Sequence, residues 1–441
     1  MIKSVPLPRV LLRLPLLFAI GVLLVAAERR AAGPDDDVAL AEQQPRALTL
    51  ESLPSPAGND AAEPFVAVDD NGTAYLSWLE RQADSSYALR VATLRAGTSA
   101  WSAPREVMRR KDLFVNWADF PSVVPIGNER LLAHWLQRNG SGTYAYDVRV
   151  AESRDGGATW APSVVPHAPN VQAEHGFVSI LPTGKGSASI VLLDGTAGAL
   201  AAAKAKTAGA AAGHGGEHGA AMQLAHAAWR DGKVVSTQTL DVRTCDCCQT
   251  ATAMTSKGPV AVYRDRSPEE IRDMSIVRLI NGKWTEPMPV HRDGWKIASC
   301  PVNGPAIAAV GDTLATAWFT APGDSARVHV AFSTDAGVRF AAPVRVDAGS
   351  PTGRVDIEML DGLTALVSWL ERTGGDSAEV RARVVRRDGT MEPHLVVSPS
   401  SRARSSGFPR MARTPDGVVL AWTLAGRPSV VKVARIREKA K

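Results

Sequence analysis

A unit of roughly 50 to 57 residues recurs along most of the chain, and this repeat limits the available folds more than any other feature. Each unit begins with a short strand next to Pro or Gly, and its second strand ends close to an aromatic residue, usually Trp. An alternating third strand and a short fourth strand follow. Two of the second strands share the letters SWLER, at positions 77–81 and 368–372. Four short strands in a period of this size are typical of one blade of a β-propeller.

The number of repeats predicts the number of blades. Repeat starts can be located at Glu63, Phe120, Gly176, Gln249, Gly304, Arg354 and Phe408. We therefore expect an all-β fold, a single β-propeller of four-stranded blades with seven blades; six is the alternative if one unit is degenerate. The last unit has only three strands, and the segment 46–50 (RALTL) is a spare strand at the other end. We expect it to pair beside 430–435, because closing the ring removes exposed strand edges.

Two of the repeats carry a local turn motif after the third strand. The segments Ser153 to Trp160 and Ser333 to Phe340 both fit the pattern S-x-D-x-G-x-x-aromatic. In such a turn the Asp accepts backbone N–H groups, the Gly allows a positive φ, and the aromatic ring packs into the blade. With these motifs, residues 46–440 resemble the Asp-box (BNR repeat) propellers of the sialidase superfamily. The resemblance implies a sialidase-like fold in which Asp155 and Asp335 form turns on the face away from the site.

The residues that carry sialidase catalysis are not evident. That family places three arginines on the substrate carboxylate, pairs a Tyr nucleophile with a Glu, and uses an Asp as acid. The F/Y-R-I-P segment that holds its first arginine is not found in this sequence. The family nucleophile falls late in the chain, whereas the tyrosines here are Tyr75, Tyr87, Tyr144, Tyr146 and Tyr263. The resemblance therefore implies the fold and a carbohydrate or small acidic ligand, without implying true sialidase activity.

The N-terminal residues indicate export. Three basic residues precede a short apolar run that ends at residue 27, with small residues just before the expected cleavage point. This pattern predicts a signal peptide over 1–27, with an uncleaved anchor as the alternative. Residues 28–45 predict a flexible leader, and 46–441 then form the propeller domain. We expect a periplasmic or secreted protein.

Charge and hydropathy restrict the partners. The net charge is +5, and Lys and Arg alternate with Asp and Glu without forming a basic stripe. The sequence therefore implies no nucleic acid partner. No stretch after the signal peptide is long and apolar enough to be a transmembrane segment. The oligomeric state is not indicated.

In a propeller, the loops that enter each innermost strand and the loops between strands two and three surround the central channel on one face. Charged residues at these positions are therefore candidates for a site. Carboxylates suit the acid and second-carboxylate roles of glycoside cleavage, and the candidates are Asp265, Glu270 and Glu371. Arginines grip anionic ligands, and the candidates are Arg264, Arg272, Arg354 and Arg410. The alternative for both sets is a ring of inter-blade salt bridges.

The cysteines form the least ordinary feature of the sequence. They are Cys245, Cys247 and Cys248 in one segment and Cys300 in a second. The first segment precedes the innermost strand of unit four, and the second precedes that of unit five. We expect them to be neighbours on the channel face, with Cys300 joined to the earlier segment covalently or through a metal. In an exported protein, two disulfides are one interpretation. A thiolate metal site and four thiols are the others.

The insert at 195–221 bears on the metal alternative. It is rich in Ala, Gly and His, and it includes His214 and His218. It joins strands two and three of the third unit, on the same face as the cysteines and close to His175. Thiolate and imidazole donors suit zinc or copper, so these residues are candidate ligands. The alternative is a solvated loop without a metal.

Two classes of function follow from these features. The first is a non-catalytic module that binds an acidic glycan, a partner protein or a metal in the central funnel. The second is an exo-glycosidase of the sialidase type that acts on an acidic glycan. The absence of the family's nucleophile and first-arginine motif favours the binding module.

Overall fold

Seven antiparallel sheets form the blades of a β-propeller in the computed structural model, which describes residues 47–207 and 222–438. We number the blades in chain order, starting from the first complete one. The innermost strands of successive blades contact one another, and the innermost strand of blade seven contacts that of blade one. The ring is therefore closed, and the all-β fold with seven four-stranded blades is confirmed.

Each blade runs from an innermost to an outer strand along the chain. Blade one contains β2 (Ala61–Val68), β3 (Ala74–Arg81), β4 (Tyr87–Leu94) and β5 (Arg105–Arg110). Blade two contains β6 (Ser122–Pro125), β7 (Leu131–Arg138) and β8 (Tyr146–Ser153), with a bridge from Val150 to Val164 at the position of a fourth strand. Blade three contains β9 (His175–Gly184), β10 (Ser187–Asp194), β11 (Met222–Arg230) and β12 (Lys233–Thr244).

The remaining blades follow the same order. Blade four contains β13 (Ala251–Thr255), β14 (Gly258–Arg264), β15 (Met274–Ile280), β16 (Lys283–Trp284) and β17 (Met288–His291). Blade five contains β18 (Ala306–Val310), β19 (Thr313–Thr320), β20 (Arg327–Ser333) and β21 (Val344–Arg345). Blade six contains β22 (Pro351–Met359), β23 (Thr364–Gly374), β24 (Ser377–Arg386) and β25 (Leu395–Ser401). Blade seven contains β26 (Arg410–Thr414), β27 (Gly417–Leu424), β28 (Val430–Glu438) and β1 (Leu48–Leu53).

The first strand of the chain closes the ring. Strand β1 is the outer strand of blade seven and pairs antiparallel with β28, from Leu48 opposite Glu438 to Leu53 opposite Val433. The predicted pairing of the N-terminal spare strand with the C-terminal blade is confirmed. The sheet of blade seven therefore combines β1 with β26, β27 and β28, so its four strands come from opposite ends of the propeller sequence.

The aromatic residues at the second-strand ends form part of the core. Trp78, Trp318 and Trp369 are fully buried. Each indole N–H donates to a carboxylate, to Glu80 at 3.1 Å, to Asp293 at 2.7 Å and to Glu371 at 2.5 Å, respectively. The repeat therefore supplies both a large apolar side chain and the acceptor that its buried N–H needs.

The Asp-box turns have the predicted local structure. Asp155 Oδ1 accepts the backbone N–H of Thr159, and Asp335 Oδ1 accepts that of Arg339, each at 2.9 Å. Gly157 has φ 88° in the first turn, a value that favours glycine. Both turns follow the third strand of a blade, so they lie at the opposite strand ends from the loops that enter the innermost strands. The aspartates therefore form turns and are remote from the channel-face loops.

Three short helices interrupt the strands in the described residues. The helix α1 (Thr196–Thr207) lies in the predicted insert between β10 and β11, and 3-10 turns occur at Pro322–Asp324 and Arg404–Ser406. None of the helices described has both the length and the apolar character needed to cross a bilayer. The predicted signal peptide (1–27), the leader (28–45) and the second half of the insert, 208–221, lie outside the described residues.

Candidate functional site

A pocket of about 620 Å³ opens on the face where the loops enter the innermost strands. We call it the funnel pocket. Its walls come from the loops before β6, β9, β13 and β18, from the loop between β7 and β8, from the insert helix α1, and from the turn before β26. The polar, aromatic and sulfur-bearing side chains that line it are those of Asn116, Trp117, Tyr144, Glu174, Phe177, Met222, Asp246, Cys247, Cys300 and Arg404.

The insert helix forms one wall of the funnel pocket, through Gly198, Ala199 and Ala202. Its start is fixed by Asp194, whose Oδ1 accepts the backbone N–H of Thr196 at 2.8 Å. The preceding Gly195 lies so close to Glu174 that an added Cβ would stand 2.7 Å from the Glu174 carbonyl oxygen. The glycine therefore lets the insert leave blade three directly above Glu174.

Glu174 is a half-buried carboxyl group on the pocket wall. The hydroxyl of Tyr146 donates a hydrogen bond to its Oε1 at 3.0 Å. Burial raises the pKa of Glu174 to about 7, although the Tyr146 hydrogen bond favours the ionised form. A carboxyl group with a pKa near neutrality can give or take a proton at the pH of most compartments. The sequence analysis did not single out this pair, which joins blades two and three.

The aromatic rings of the pocket differ in accessibility. Trp117 stacks on Phe408 with ring centroids 5.8 Å apart, and the guanidinium of Arg354 lies 4.7 Å from its ring centroid. Tyr144 is 47 % exposed and touches Phe114 edge-on. Tyr144 is therefore the most exposed ring of the pocket, and Trp117, which is half-buried, is less accessible.

The four cysteines meet beside the funnel pocket. Cys245 Sγ lies 3.3 Å from Cys248 Sγ and 3.8 Å from Cys247 Sγ. Donor atoms of Cys247, Cys300 and Asp246 also lie within 4.8 Å of one another. The predicted approach of Cys300 to the earlier segment is confirmed. All four cysteines lie within the described residues, and none forms a disulfide, so the structure differs from the two-disulfide interpretation.

Positive charge surrounds the innermost thiol. Arg272 Nη1 lies 3.1 Å from Cys245 Sγ, and Arg272 is 2 % exposed. Burial by itself would raise the pKa of Cys245. The neighbouring thiols and the charges of Arg272 and Arg264 outweigh it and hold the pKa of Cys245 well below its usual value. Burial raises the pKa of Cys247 well above its usual value. The cluster thus contains one thiol, that of Cys245, whose surroundings favour the thiolate.

Asp246 lies between the cysteine cluster and the pocket. Its Oδ1 is 3.5 Å from Arg272 Nη1 and 3.8 Å from Arg266 Nη1, and this oxygen is buried without a hydrogen-bond partner among the described residues. A buried carboxylate oxygen normally has such a partner. The arrangement leaves a lone pair that a bound cation or a ligand hydroxyl can use.

The three carboxylates that the sequence suggested for catalysis are not brought together by the structure. Glu371 accepts the backbone N–H of Ser350 at 2.6 Å as well as the Trp369 indole. Glu270 pairs with Arg266 at 2.9 Å and with Arg272 at 2.7 Å. Asp265 accepts the Ser275 hydroxyl at 3.2 Å, and burial raises its pKa. None of the three is among the described residues that line the funnel pocket, and their catalytic roles stay predictions.

Two of the predicted ligand-binding arginines are buried and bound to backbone. Arg264 donates through Nε and Nη2 to the carbonyl of Asn303, at 3.0 and 2.8 Å, and through Nη2 to that of Phe319 at 2.7 Å. Arg354 donates to the carbonyls of Ala403 and Gly407, at 3.0 and 3.1 Å, and burial lowers its pKa to about 10. Both guanidinium groups hold loops of the channel face in place.

The other two predicted arginines have acidic partners. Arg272 joins Glu270, Asp246 and the cysteine cluster, as described above. Arg410 lies 3.4 Å from Asp356 and over the rings of Phe65 and Phe120, at 5.3 and 5.5 Å from their centroids. It lines a narrower cavity of about 100 Å³ between the innermost strands. A role of either arginine in ligand binding stays a prediction.

The histidines predicted as metal ligands are separate from the cysteines in the described residues. His175 is fully buried; its Nδ1 lies 3.0 Å from the Tyr146 carbonyl and its Nε2 3.1 Å from Thr196 Oγ1. Its ring stacks on His167 with centroids 3.7 Å apart. Both ring nitrogens are thus engaged. His214 and His218 lie outside the described residues.

Comparison with known proteins gives a fold and no family. No protein-family model and no curated protein sequence matches the chain. Among solved structures, an ulvan lyase described as a polysaccharide lyase bound to -[GlcA(1-4)Rha3S]- superposes with a TM-score of 0.55 at 11% identity, over 87% of this chain and 95% of that one. The phage phi92 endosialidase gives a TM-score of 0.50 at 10% identity, over 90% of this chain and 70% of its own. The propeller neighbours are thus enzymes that act on glycans, and the likeness to them is one of fold.

Proposed function

We propose that this chain is an exported propeller that binds an acidic glycan in the funnel pocket. The observation that carries the proposal is the convergence of an accessible ring (Tyr144), an exposed guanidinium (Arg404) and a half-buried carboxyl group (Glu174) on one cavity of about 620 Å³. Pockets of a few hundred Å³ that combine apolar surface with a few placed polar groups are typical ligand sites. The glycan-acting fold neighbours support a sugar as the ligand.

The charges of the pocket favour an acidic sugar. Arg404 lines the cavity, and a guanidinium binds a carboxylate or sulfate through two parallel hydrogen bonds. Two acidic groups among the described residues line the pocket. Glu174 has a pKa of about 7, so below that pH it is largely uncharged. Asp246 is compensated by Arg272 and Arg266, which lie 3.5 and 3.8 Å from its Oδ1. We therefore expect acidic ligands to bind more weakly as the pH rises through about 7, because Glu174 then becomes negative.

The test is an equilibrium titration of the purified chain with a uronic-acid oligosaccharide and with a neutral oligosaccharide of equal length. Arg404→Ala and Tyr144→Ala should each weaken binding of the acidic ligand by about 10-fold, which corresponds to about 1.4 kcal/mol. Arg109→Ala is the matched control, since Arg109 is exposed on β5 and pairs with Glu106. The proposal would be contradicted if all three variants bound the acidic ligand with equal affinity. It would also be contradicted if the wild type bound the neutral and acidic ligands equally tightly.

A second candidate is a glycan-cleaving enzyme that uses the same pocket. The specific observation is the Tyr146–Glu174 hydrogen bond, because a general acid works best when its pKa lies near the operating pH. Tyr146 is fully buried, so Glu174 is the member of the pair that can reach a ligand. Screening acidic polysaccharides for new chain ends tests this candidate. Glu174→Gln should abolish turnover while leaving binding within about 3-fold, since the amide keeps the shape of the carboxyl group.

A further inference from the structure

We infer that Cys245, Cys247 and Cys248, with Cys300 from the next inter-blade loop, form a binding site for a thiophilic closed-shell metal ion, Zn²⁺ or Cu⁺. The first three residues belong to the loop between β12 and β13, and Cys300 belongs to the loop between β17 and β18. Soft thiolate donors select these ions over magnesium or calcium. The ion would connect two successive inter-blade loops at the rim of the channel.

The sulfur separations fit coordination to one ion. Cys245 Sγ lies 3.3 Å and 3.8 Å from the sulfurs of Cys248 and Cys247. A disulfide needs about 2.05 Å. Thiolates placed about 2.3 Å from a tetrahedral zinc ion stand about 3.8 Å apart. The three sulfurs are therefore already close to the spacing that a shared metal imposes, and only the Cys245–Cys248 pair must widen, by about 0.5 Å.

The surroundings supply the charge that such a centre needs. Three or four thiolates exceed the charge of the ion, so a stable site requires a neighbouring cation or hydrogen-bond donor. Arg272 meets this requirement, since its Nη1 lies 3.1 Å from Cys245 Sγ in a buried position. Arg272 is held in turn by Glu270 at 2.7 Å. The guanidinium is thus fixed toward the sulfur cluster.

Asp246 is an independent observation at the same place. Its side chain is buried, and its Oδ1 has no hydrogen-bond partner among the described residues. An Asp246 oxygen lies within 4.8 Å of the sulfurs of Cys247 and Cys300. A cation at the cluster would give this oxygen an electrostatic partner, which its two arginine neighbours at 3.5 and 3.8 Å supply only weakly.

The cluster is also accessible from solvent on one side. Cys245 and Cys248 are buried, whereas Cys247 and Cys300 are half-buried and line the funnel pocket. An ion can therefore enter through the pocket and reach the inner sulfurs by way of the outer two. The metal site does not depend on the proposed glycan, because the sulfurs and not Tyr144 or Arg404 hold the ion.

The experiment measures metal and thiols in the same sample of the full chain, isolated without chelator and without added reductant. We expect about one equivalent of zinc or copper per chain by elemental analysis, and thiols that react with a disulfide reagent only after a chelator is added. Reloading the metal-free protein separately with Zn²⁺ and with Cu⁺, each against a competing chelator, identifies the preferred ion. Replacement by Co²⁺ should give the sulfur-to-metal absorption bands of a tetrahedral thiolate site.

Variants then assign the ligands. Cys247→Ser changes a half-buried residue and should weaken metal binding at least about 100-fold, because losing a ligand costs more than losing an outer-shell partner, which costs about 10- to 100-fold. Cys300→Ser should also weaken metal binding, while the stoichiometry stays at one metal ion per chain. Met254→Ser is the matched control, since it removes an exposed sulfur from strand β13 of the same blade. The melting curve of each variant shows whether it is folded.

Three results would overturn the inference. The first is freshly isolated protein without metal whose mass shows two disulfides. The second is metal-free protein that titrates four thiols and binds neither ion at micromolar concentration. The third is a wild-type affinity in folded Cys247→Ser. The measurements on the wild-type chain decide the matter even if every cysteine variant fails to fold.

Discussion

Arg272 Nη1 lies 3.1 Å from the sulfur of Cys245, and both side chains are almost completely buried. A guanidinium in contact with a buried sulfur stabilises the thiolate over the thiol. The same guanidinium binds Glu270 at 2.7 Å and approaches Asp246 at 3.5 Å. One arginine therefore links the sulfur cluster to two carboxylates on the channel face.

Replacing Arg272 should affect both the thiol and the fold. In reduced, metal-free protein, Arg272→Met should raise the pKa of Cys245, which is held low by the neighbouring thiols together with Arg272. The thiolate absorbance in the ultraviolet at neutral pH should fall accordingly. The free energy of unfolding should drop by about 3 kcal/mol, because the buried Asp246 loses its nearer guanidinium, while Glu270 keeps its pair with Arg266. Arg266→Met, which removes a partner 3.8 Å from Asp246, should leave the thiolate signal unchanged.

The ring closure makes a separate prediction about stability. A chain that starts at residue 54 lacks β1 and should lose at least about 3 kcal/mol of unfolding free energy, since it exposes an edge of β28 and removes the buried side chain of Leu53. A chain that starts at residue 46 keeps β1 and serves as the control. Equal melting temperatures of the two chains would show that the pairing contributes nothing.

The repeat explains why the fold could be predicted. The short alternating strands recur from blade to blade, and two blades share the SWLER segment at the same register position, so the blade count, the ring closure and the approach of Cys300 to Cys247 all follow from counting strands. These features depend on backbone topology, which a period of four short strands specifies. They do not require knowledge of where any individual side chain points.

The site could be predicted less well, because side-chain direction decides it. Arg264 and Arg354 stand at strand ends where a ligand-binding arginine would also stand, yet they donate to loop carbonyls. A sequence does not distinguish an arginine that binds a ligand from one that binds loop carbonyls, since both roles place a buried guanidinium at the same position. Similarly, the Tyr146–Glu174 hydrogen bond joins residues of different blades, and no local pattern marks it. In the sequence, Glu174 is one of many carboxylates in the loops, and no pattern distinguishes it from the others.

A buried carboxyl group in the channel should make stability depend on pH. Glu63 is buried, and burial, followed by the charge of Asp119, raises its pKa from 4.5 to about 8. The pKa of Glu63 is higher in the folded chain than in the unfolded chain, so the folded chain holds the proton more tightly. The contribution of protonated Glu63 to the free energy of unfolding is therefore complete below pH 4.5 and is lost as the pH rises to about 8.

Glu63→Gln stays neutral and should remove this dependence. At about pH 9 the variant should be more stable than the wild type by about 3 to 5 kcal/mol, and near pH 4 the two should be similar. Denaturant unfolding at both pH values measures the difference. Glu106→Gln is the control, since Glu106 is partly exposed and the hydrogen bond from Arg109 lowers its pKa despite partial burial. A wild-type pH profile in Glu63→Gln would contradict the assignment.

The last prediction concerns sialoside cleavage. We expect the purified chain to leave a fluorogenic sialoside intact under conditions in which an authentic sialidase cleaves it. Arg354 donates to the carbonyls of Ala403, Gly407 and Arg402, at 3.0, 3.1 and 3.2 Å, so its guanidinium already has backbone partners in place of a substrate carboxylate. Tyr146, which carries the Tyr–Glu hydrogen bond, is fully buried.

Variants of two arginines separate a structural role from a catalytic one. Arg354→Met should lower the free energy of unfolding by about 3 kcal/mol, because three loop carbonyls lose a charged donor. Arg410→Ala, in the narrower cavity, should change stability less, since its side chain is more exposed and pairs with Asp356 at 3.4 Å. Turnover of the sialoside by the wild type that disappears in folded Arg410→Ala would contradict the prediction and assign the arginine to the substrate. Without turnover in the wild type, a loss of stability confined to Arg354→Met places that arginine in the framework of the channel face.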